Sequence, residues 1–364
     1  MPSNQIICLS HAPWQAVPTR TQQLLLRLKG AHILYFEPPG PNWRRPGRRL
    51  RPGLTLYTLP PLAEVEERYH MFFRRRYRRL ARFITQRMDR HRFREPVVWT
   101  DTPESVHLLE FLSFRALIYD CDRAWSELPI RWESDLALSA DVIFAASQGL
   151  IDHLSPCSDN IVLLPNGVNY SMFAQPNLRC PPELRDISGP VLGYVGTLWR
   201  DLDLAPALLC AQYMPRWTFV FLGRRERNPA LEPLSVLPNV RLLDPCSPGE
   251  VPDFLSRFDV CMSFPRMRDP DNDVVPTRIY EYFAAGKPVV AFYRRGQVEP
   301  FPDVIYAAYT AREFARLCRQ ALSEAGDWFQ ARRRSRGEVA SWSHRAEQVQ
   351  QILETVGLFD MPLL

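Results

Sequence analysis

The chain has 364 residues, of which 46% are apolar, 12% aromatic and 23% charged, a composition that supports packed cores in two domains and excludes a mainly disordered protein. Its apolar runs are far shorter than the roughly 20 residues that cross a bilayer, and its first residues lack the pattern of an export signal, so we expect a cytoplasmic protein. The eight cysteines show no C-x-x-C spacing, as is typical of reduced thiols, and they indicate no zinc site.

Short apolar segments alternate with helical patterns along the first half of the chain. This alternation is typical of a parallel, doubly wound α/β domain. The predicted strands of this half are Gln5–Leu9, Ile33–Phe36, Val97–Thr100, Leu117–Tyr119, Val142–Ala146 and Ile161–Leu164.

Positive charge is concentrated between two of these strands. Residues 44–94 contain 16 basic and 4 acidic side chains, whereas the whole chain carries a formal charge of +5. We expect a basic loop at Arg44–Arg51 and a basic amphipathic helix at Tyr69–Arg94. The apolar residues of this helix are Met71, Phe72, Phe73, Leu80, Phe83 and Ile84. The pattern favours an anionic membrane surface at the inner face of the plasma membrane.

Two alternative roles for this basic segment stay open. Arginine-rich segments also meet nucleic acid, but no known reader motif accompanies this one, so we expect no nucleic-acid partner. Alternatively, the helix is simply solvated and packs its aromatic side chains inward.

The alternating pattern restarts after the proline-rich stretch that ends at Pro190, which predicts a second domain of the same class. Its predicted strands are Val191–Val195, Phe219–Leu222, Val240–Leu243, Val260–Phe264, Val289–Phe292 and Ile305–Ala308. Ser341–Thr355 is predicted to be a terminal helix.

The segment from Asp273 to Val290 combines an acidic pair, a helix start and a glycine stop before an apolar strand. Pro276 suits a first helical turn and Gly286 a left-handed C-cap. The free amides of that first turn favour phosphate. Asp273 and Glu281 offer carboxylates that accept hydrogen bonds from sugar hydroxyls, each contributing roughly 1.5 to 3 kcal/mol when shielded from water.

The same segment resembles the second domain of family-4-type glycosyltransferases, which carry an acidic residue, seven residues, a glutamate and an A-x-G-x-P-V-V run. It is most similar to the teichuronic-acid and exopolysaccharide transferases. The matching residues are Pro276, Arg278, Ile279, Glu281, Tyr282, Ala285, Gly286, Lys287 and Pro288. The linker run Pro165, Asn166, Gly167, Val168, Asn169 and Phe173 extends the resemblance over nearly the whole chain. An ordinary amphipathic helix with incidental acids is the alternative.

The resemblance implies the GT-B fold, in which two doubly wound Rossmann-like domains face each other across a cleft. The expected domains are residues 1–170 on the acceptor side and 171–340 for the nucleotide sugar. The terminal helix, about 340–364, is expected to pack back on the first domain.

The resemblance also implies donor-binding residues in the second domain. Glu281 is expected to bind the ribose hydroxyls, and Asp273 the hydroxyls of the transferred sugar, although Asp269, Asp271 and Asp273 could instead form a solvated acidic loop. The remaining donor-side candidates are Gly196, Thr197, Arg200, Gly223, Pro276, Thr277 and Arg278.

The chain departs from the family beside Gly196. Relatives commonly place an arginine and a lysine shortly after this glycine turn, whereas here Thr197 occupies the usual basic position. We therefore expect Arg200 and Arg278 to substitute as phosphate partners.

In the first domain, Tyr119–Asp122 resembles a Y-D-C-x-D run of the teichuronic-acid type, and Asp122 is the candidate catalytic residue together with Asp273. An Asp-x-Asp pair at a strand end also binds metal in the other major transferase fold, but two GT-B-like halves argue against an essential metal here. His11, Arg20 and Asp101 are candidates for the acceptor or phosphate side. Asp101 could equally cap the helix that begins near Pro103.

These residues predict a retaining glycosyltransferase that moves a sugar from a nucleoside diphosphate sugar to a glycan or lipid-linked acceptor. No cofactor is expected beyond the donor substrate. The alternatives are a sugar-nucleotide epimerase on the same scaffold and a noncatalytic, membrane-associated protein that binds nucleotide sugars.

Overall fold

The computed structural model describes residues 4–14, 18–175, 179–267, 273–324 and 326–360. Asp269 and Asp271 of the acidic loop therefore lie outside the described residues. The chain divides into two compact units, unit 1 comprising Met1–Pro165 with Ser343–Leu364, and unit 2 comprising Asn166–Trp342. Within the described residues, no helix combines the length and the apolar character that crossing a membrane requires.

Unit 1 is built on an eight-stranded sheet. Its strands are β1 (Asn4–Leu9), β2 (Ala31–Glu37), β3 (Arg48–Arg51), β4 (Leu54–Thr58), β5 (Val97–Thr100), β6 (Ala116–Cys121), β7 (Val142–Ala145) and β8 (Ile161–Leu163). Its helices before the linker are α1 (Arg20–Arg27), α2 (His70–Arg90), α3 (Val106–Leu109), α4 (Ile130–Ser139) and α5 (Gln148–Leu154).

The strand order of this sheet is β3-β4-β2-β1-β5-β6-β7-β8, and every pair is parallel except β3 with β4. Outward from β1 the strands are β2, β4 and β3, and outward from β5 in the other direction they are β6, β7 and β8. The carboxyl ends of β1 and β5 therefore meet at a topological switch point, where doubly wound sheets place their ligands.

The prediction of a basic loop at Arg44–Arg51 is wrong for its second half. Arg48–Arg51 forms the edge strand β3, which pairs antiparallel with β4. The turn between them is Pro52-Gly53, and Gly53 adopts a φ of +79°, which glycine reaches without strain. Charged side chains suit an edge strand because they discourage pairing with another chain.

Helix α2 begins and ends inside the predicted range, and its apolar residues divide between two faces. Phe73, Leu80, Phe83 and Ile84 are buried, as the inward-packing alternative expects. By contrast, Met71 is 81% and Phe72 62% exposed. The helix therefore packs one apolar face on the unit and presents two large apolar side chains to solvent.

Unit 2 is built on a six-stranded parallel sheet. Its strands are β9 (Val191–Val195), β10 (Thr218–Leu222), β11 (Val240–Leu243), β12 (Val260–Ser263), β13 (Val289–Phe292) and β14 (Ile305–Ala308). Its helices are α6 (Tyr170–Phe173), α7 (Ala205–Tyr213), α8 (Leu231–Ser235), α9 (Val251–Arg257), α10 (Thr277–Ala284), α11 (Ala311–Ser323) and α12 (Asp327–Val339). The last helix of the chain, α13 (Trp342–Thr355), continues into unit 1.

The core of unit 2 lies on both faces of its sheet. Phe219 and Phe221 of β10 join one buried cluster, and Val220 and Leu222 join another. A strand that buries both of its faces is typical of a doubly wound parallel sheet. The strand order β11-β10-β9-β12-β13-β14 places the switch point between β9 and β12.

Candidate functional site

The glycine turns of unit 2 lie where β9 and β10 end. Gly196 has a φ of +139° and Gly223 a φ of +151°, which L-residues with side chains rarely adopt. The Gly196 amide donates to the Leu222 carbonyl at 3.0 Å. A Cβ on Gly223 would lie 2.1 Å from the Gly196 carbonyl oxygen. Only glycine therefore lets these two turns pack against each other.

A cavity of about 180 Å³ opens at the switch point of unit 2. Asp273, Pro276 and Arg278 are the sequence-predicted residues that line it. Trp199, which follows β9, and Arg266, which follows β12, line it as well. Helix α10 begins at Thr277 beside the cavity, and Pro276 occupies the N-cap position. The cavity thus combines a helix N-terminus, two guanidinium groups and a carboxylate.

Arg278 is placed to receive an anion. Its Nε is buried and has no hydrogen-bond partner among the described residues. Its guanidinium carbon lies 5.0 Å from the centroid of the Tyr194 ring. A Cβ on Gly196 would lie 3.6 Å from Arg278 Nη1, so the glycine turn and this arginine are close neighbours. A buried donor without a partner is costly, and a ligand oxygen would remove that cost.

Glu281 follows Arg278 by three positions on α10 and is half-buried. Burial raises the pKa of Glu281 to about 7, and the charge of Arg278 lowers it in part. The Tyr282 hydroxyl accepts a hydrogen bond from the Val195 amide at 2.9 Å, which fixes α10 against the end of β9. Glu281 is not among the residues that line the cavity within the described part of unit 2.

Besides Glu281, five donor-side candidates are not among the residues that line the cavity within the described part of unit 2: Gly196, Thr197, Arg200, Gly223 and Thr277. The Thr197 carbonyl accepts from the Tyr194 hydroxyl at 3.2 Å. Arg200 is exposed, and its backbone amide donates to a Glu226 carboxylate oxygen at 3.2 Å. Sequence reasoning therefore missed Arg266, which lines the cavity, and chose Arg200, which does not.

In unit 1, Asp101 links the ends of β1 and β5. Its carboxylate accepts from the Ser10 hydroxyl at 2.7 Å and from the His11 amide at 2.8 Å. His11 Nδ1 lies 3.0 Å from the same carboxylate. Thr102, and not Asp101, is the residue before the short helical turn at Pro103–Ser105, so the capping alternative is wrong.

Asp120, at the end of β6, forms a buried ion pair with Arg20. Arg20 Nε donates to its carboxylate at 2.8 Å, and the Thr21 hydroxyl donates at 2.9 Å. Burial raises the pKa of Asp120, while the charge and hydrogen bond of Arg20 lower it. Arg20 is thus engaged inside the unit by a carboxylate 100 positions away.

Asp122 is the carboxylate of this cluster with an open oxygen. Its Oδ1 is buried and has no hydrogen-bond partner among the described residues. Burial, followed by the charges of Asp120 and Asp101, raises the pKa of Asp122 to about 6. The cluster therefore contains a carboxyl group that can gain or lose a proton near neutral pH.

His11 is held beside this carboxyl group. Burial lowers the pKa of His11, but the hydrogen bond and charge of Asp101 outweigh it and raise the pKa above its ordinary value. The Trp125 ring meets the His11 ring edge-on at 5.2 Å, and Arg123 lies 4.0 Å over Trp125. Among the described residues, no group of three or more His, Cys, Asp or Glu side chains could hold a metal ion.

The chain is similar to known proteins in sequence and in fold. Residues 203–351, in which the cavity of unit 2 largely falls, match the family model described as glycosyl transferase-like. TuaH of Bacillus subtilis strain 168, which is named as a teichuronic acid biosynthesis glycosyltransferase, is 27% identical over 281 residues, covering 69% of this chain and 70% of TuaH.

Solved structures match almost the full chain. Sucrose-phosphate synthase from Thermosynechococcus elongatus aligns with a TM-score of 0.72 and 15% identity over 97% of this chain and 99% of that chain. The UDP-forming α,α-trehalose-phosphate synthase from Burkholderia vietnamiensis has a TM-score of 0.73 and 13% identity, covering 99% and 98%. Anabaena HepE, in complex with UDP and glucose, has a TM-score of 0.67 and 14% identity, covering 96% and 99%. The expected resemblance and the expected fold class are confirmed.

Proposed function

We propose that this chain, a glycosyltransferase of the GT-B fold, moves a sugar from a nucleoside diphosphate sugar to a glycan or lipid-linked acceptor with retention at the anomeric carbon. The observation that carries the proposal is the switch-point cavity of unit 2. It brings Arg278, Asp273 and the start of α10 together on one surface.

The chemistry of this cavity suits a diphosphate ester. The first-turn amides of α10 carry partial positive charge, and Arg278 adds a full charge and an Nε donor for which the described residues supply no partner. Stabilising the leaving diphosphate is the largest single contribution that such a site can make to transfer. Asp273 is our proposed partner for hydroxyls of the transferred sugar, and Glu281 for the ribose hydroxyls.

Uridine diphosphate is the first donor nucleotide to test. The Burkholderia synthase is named as UDP-forming, and HepE is described with UDP and glucose. The teichuronic acid assignment of TuaH supports a cell-surface polysaccharide or glycoconjugate as the product class.

In unit 1, we assign the catalytic role to Asp122. Asp101 and Asp120 already accept strong hydrogen bonds from Ser10, Arg20 and their neighbours. Asp122 Oδ1 is buried without a hydrogen-bond partner in the described part of the chain, and burial raises the pKa of Asp122 to about 6. Both are properties of a group that exchanges a proton or binds a polar substrate.

Isothermal titration with a panel of nucleoside diphosphate sugars tests this function. We expect one donor to bind and to be hydrolysed slowly without acceptor, and proton NMR of the transfer product to show the donor's anomeric configuration. Epimer formation would support the isomerase alternative, and the absence of binding would support the noncatalytic one. EDTA should leave the reaction rate unchanged, since we expect no essential metal.

We also propose that α2 binds an anionic membrane surface. Arg75, Arg79 and Arg82 recur on successive turns and are all exposed. Like charges at this spacing repel one another by a few tenths of a kcal/mol per pair, so they do not stabilise the helix itself. Met71 and Phe72 stand exposed at the start of the same helix. Cationic side chains beside large apolar ones favour a lipid interface over nucleic acid.

A matched pair of triple variants tests the membrane proposal. Each basic residue near an anionic leaflet contributes about 1 kcal/mol, so changing Arg75, Arg79 and Arg82 to Gln should weaken binding to phosphatidylglycerol vesicles about a hundredfold. The control changes Arg312, Arg316 and Arg319 on α11, which have the same spacing and are equally exposed. Equal losses in both variants would show a non-specific effect of net charge. Binding of the wild type to single-stranded RNA but not to vesicles would favour nucleic acid.

A further inference from the structure

Arg266 follows β12 and lies at the switch point of unit 2, in the position where doubly wound sheets bind their ligands. The loop after β9 contains Thr197 and Arg200, and the exposed Arg200 is not among the residues that line the cavity within the described part of unit 2. A cation that does line the cavity, Arg266, is present on the adjacent loop after the neighbouring strand β12.

The two loops are bonded into one framework. The Asp203 amide donates to the Pro265 carbonyl at 3.0 Å, and the Met267 amide donates to the Asp201 carbonyl at 2.7 Å. From the other side, buried Asn228 donates to the carbonyls of Trp199 and Leu202 at 2.7 and 2.9 Å. The backbone around Arg266 is thus fixed by bonds that do not involve its guanidinium group.

The guanidinium group itself is oriented but still accessible. Its Nε and Nη2 lie 3.2 Å from the two carboxylate oxygens of Asp201, and its carbon lies 5.2 Å from the Trp199 ring centroid. The Arg266 side chain is 46% exposed, whereas that of Asp201 is 10% exposed. A planar guanidinium held on two sides keeps donors available for a phosphate oxygen.

We propose that Arg266 binds the diphosphate of the donor together with Arg278, and so replaces the basic residues that are missing after Gly196. Both side chains line the same cavity, one from the loop after β12 and the other from the first turns of α10. This inference rests on the proposed function, because it names which cation of that site meets the diphosphate. Arg266 is a binding residue, and its ion pair with Asp201 competes with the ligand for two of its guanidinium donors.

The test compares Arg266→Gln with Arg200→Gln, using UDP and uridine as probes in isothermal titration. Loss of a charge-assisted hydrogen bond should weaken UDP binding about tenfold or more in Arg266→Gln, while uridine binding stays unchanged. Arg200→Gln should bind both probes as the wild type does. Unchanged UDP affinity in Arg266→Gln, or an equal loss in Arg200→Gln, would overturn the inference and leave the proposed function standing.

Asp201→Asn separates ligand binding from loop structure. This variant removes the same ion pair but keeps the cation, so it should bind UDP at least as tightly as the wild type. A loss in both Arg266→Gln and Asp201→Asn, with lowered melting temperatures, would show that Arg266 only holds the loop. If the wild type binds neither UDP nor ADP nor GDP, the proposed function fails and this inference fails with it.

Discussion

At the strand ends of unit 1, the side chains of Arg20, Asp101 and Asp120 bind other polar side chains, whereas in unit 2 Arg266, Asp273 and Arg278 line a cavity. In unit 1, Arg20 pairs with Asp120, and His11 lies against Asp101. In unit 2, Arg278 Nε is buried and has no hydrogen-bond partner among the residues that the structure describes, and burial raises the pKa of Glu281 to about 7. The pairs of unit 1 thus fix its strand ends, except that Asp122 Oδ1 has no partner among the described residues, whereas the cavity of unit 2 presents two guanidinium groups and a carboxylate.

Replacing one arginine in each unit tests this comparison most directly. Arg20→Met leaves the Asp120 carboxylate buried without its cation, which should lower the free energy of unfolding by about 3 to 5 kcal/mol. Arg278→Met removes a buried donor that the described residues leave without a partner, and it should change the free energy of unfolding by about 1 kcal/mol or less. Urea unfolding of both variants measures the difference. Similar losses at the two positions would contradict the division that we draw.

Sequence reasoning found most of the fold because buried parallel strands are short apolar runs. Val191–Val195 and Val289–Phe292 were predicted with the bounds that the structure has. The edge pair of β3 and β4 was missed because the arginines of β3 suggested a loop. The alternating LTLYT of β4 after Pro52-Gly53 was the signal that could have revealed a hairpin.

The sequence revealed less of the sites, since their contacts join distant positions. Gly196, Gly223 and Arg278 could be chosen from local motifs, because a glycine turn and a helix start are local features. The pairing of Arg20 with Asp120 spans 100 positions and has no local signal. Arg266 was not selected for the same reason, because its position beside the cavity depends on loops that follow two different strands.

Replacing Glu281 tests whether unit 2 is built for a ligand. Glu281→Ala should weaken donor affinity by roughly 2 kcal/mol, about thirtyfold, through lost bonds to the ribose hydroxyls. Titration with the donor and with its 2′,3′-dideoxy analogue measures this effect, because the analogue lacks those hydroxyls and should bind both proteins equally. Glu347→Ala on α13, an exposed position, is the control and should bind the donor normally. Unchanged donor affinity in Glu281→Ala would remove this residue from the site.

The smallest expected effect is the part of the pH dependence of stability that comes from the titration of Glu281. Because burial raises its pKa from an ordinary value near 4.5 to about 7, the folded state binds more protons than the unfolded state between these pH values. The contribution of Glu281 to stability therefore falls as pH rises from 4.5 to 7, and the whole loss is present above pH 7. Glu281→Gln has no carboxyl group at this position, so its stability should lack this pH-dependent loss.

Urea unfolding at pH 5 and pH 8 separates this contribution, because all other titrating groups are shared by the two proteins. The stability of Glu281→Gln relative to the wild type should improve by about 1 to 2 kcal/mol between these pH values. A relative stability that stays constant with pH would show that the Glu281 carboxylate is already compensated in the free protein. Saturating donor should shrink the difference, since ribose hydroxyls would supply the hydrogen bonds that burial withholds.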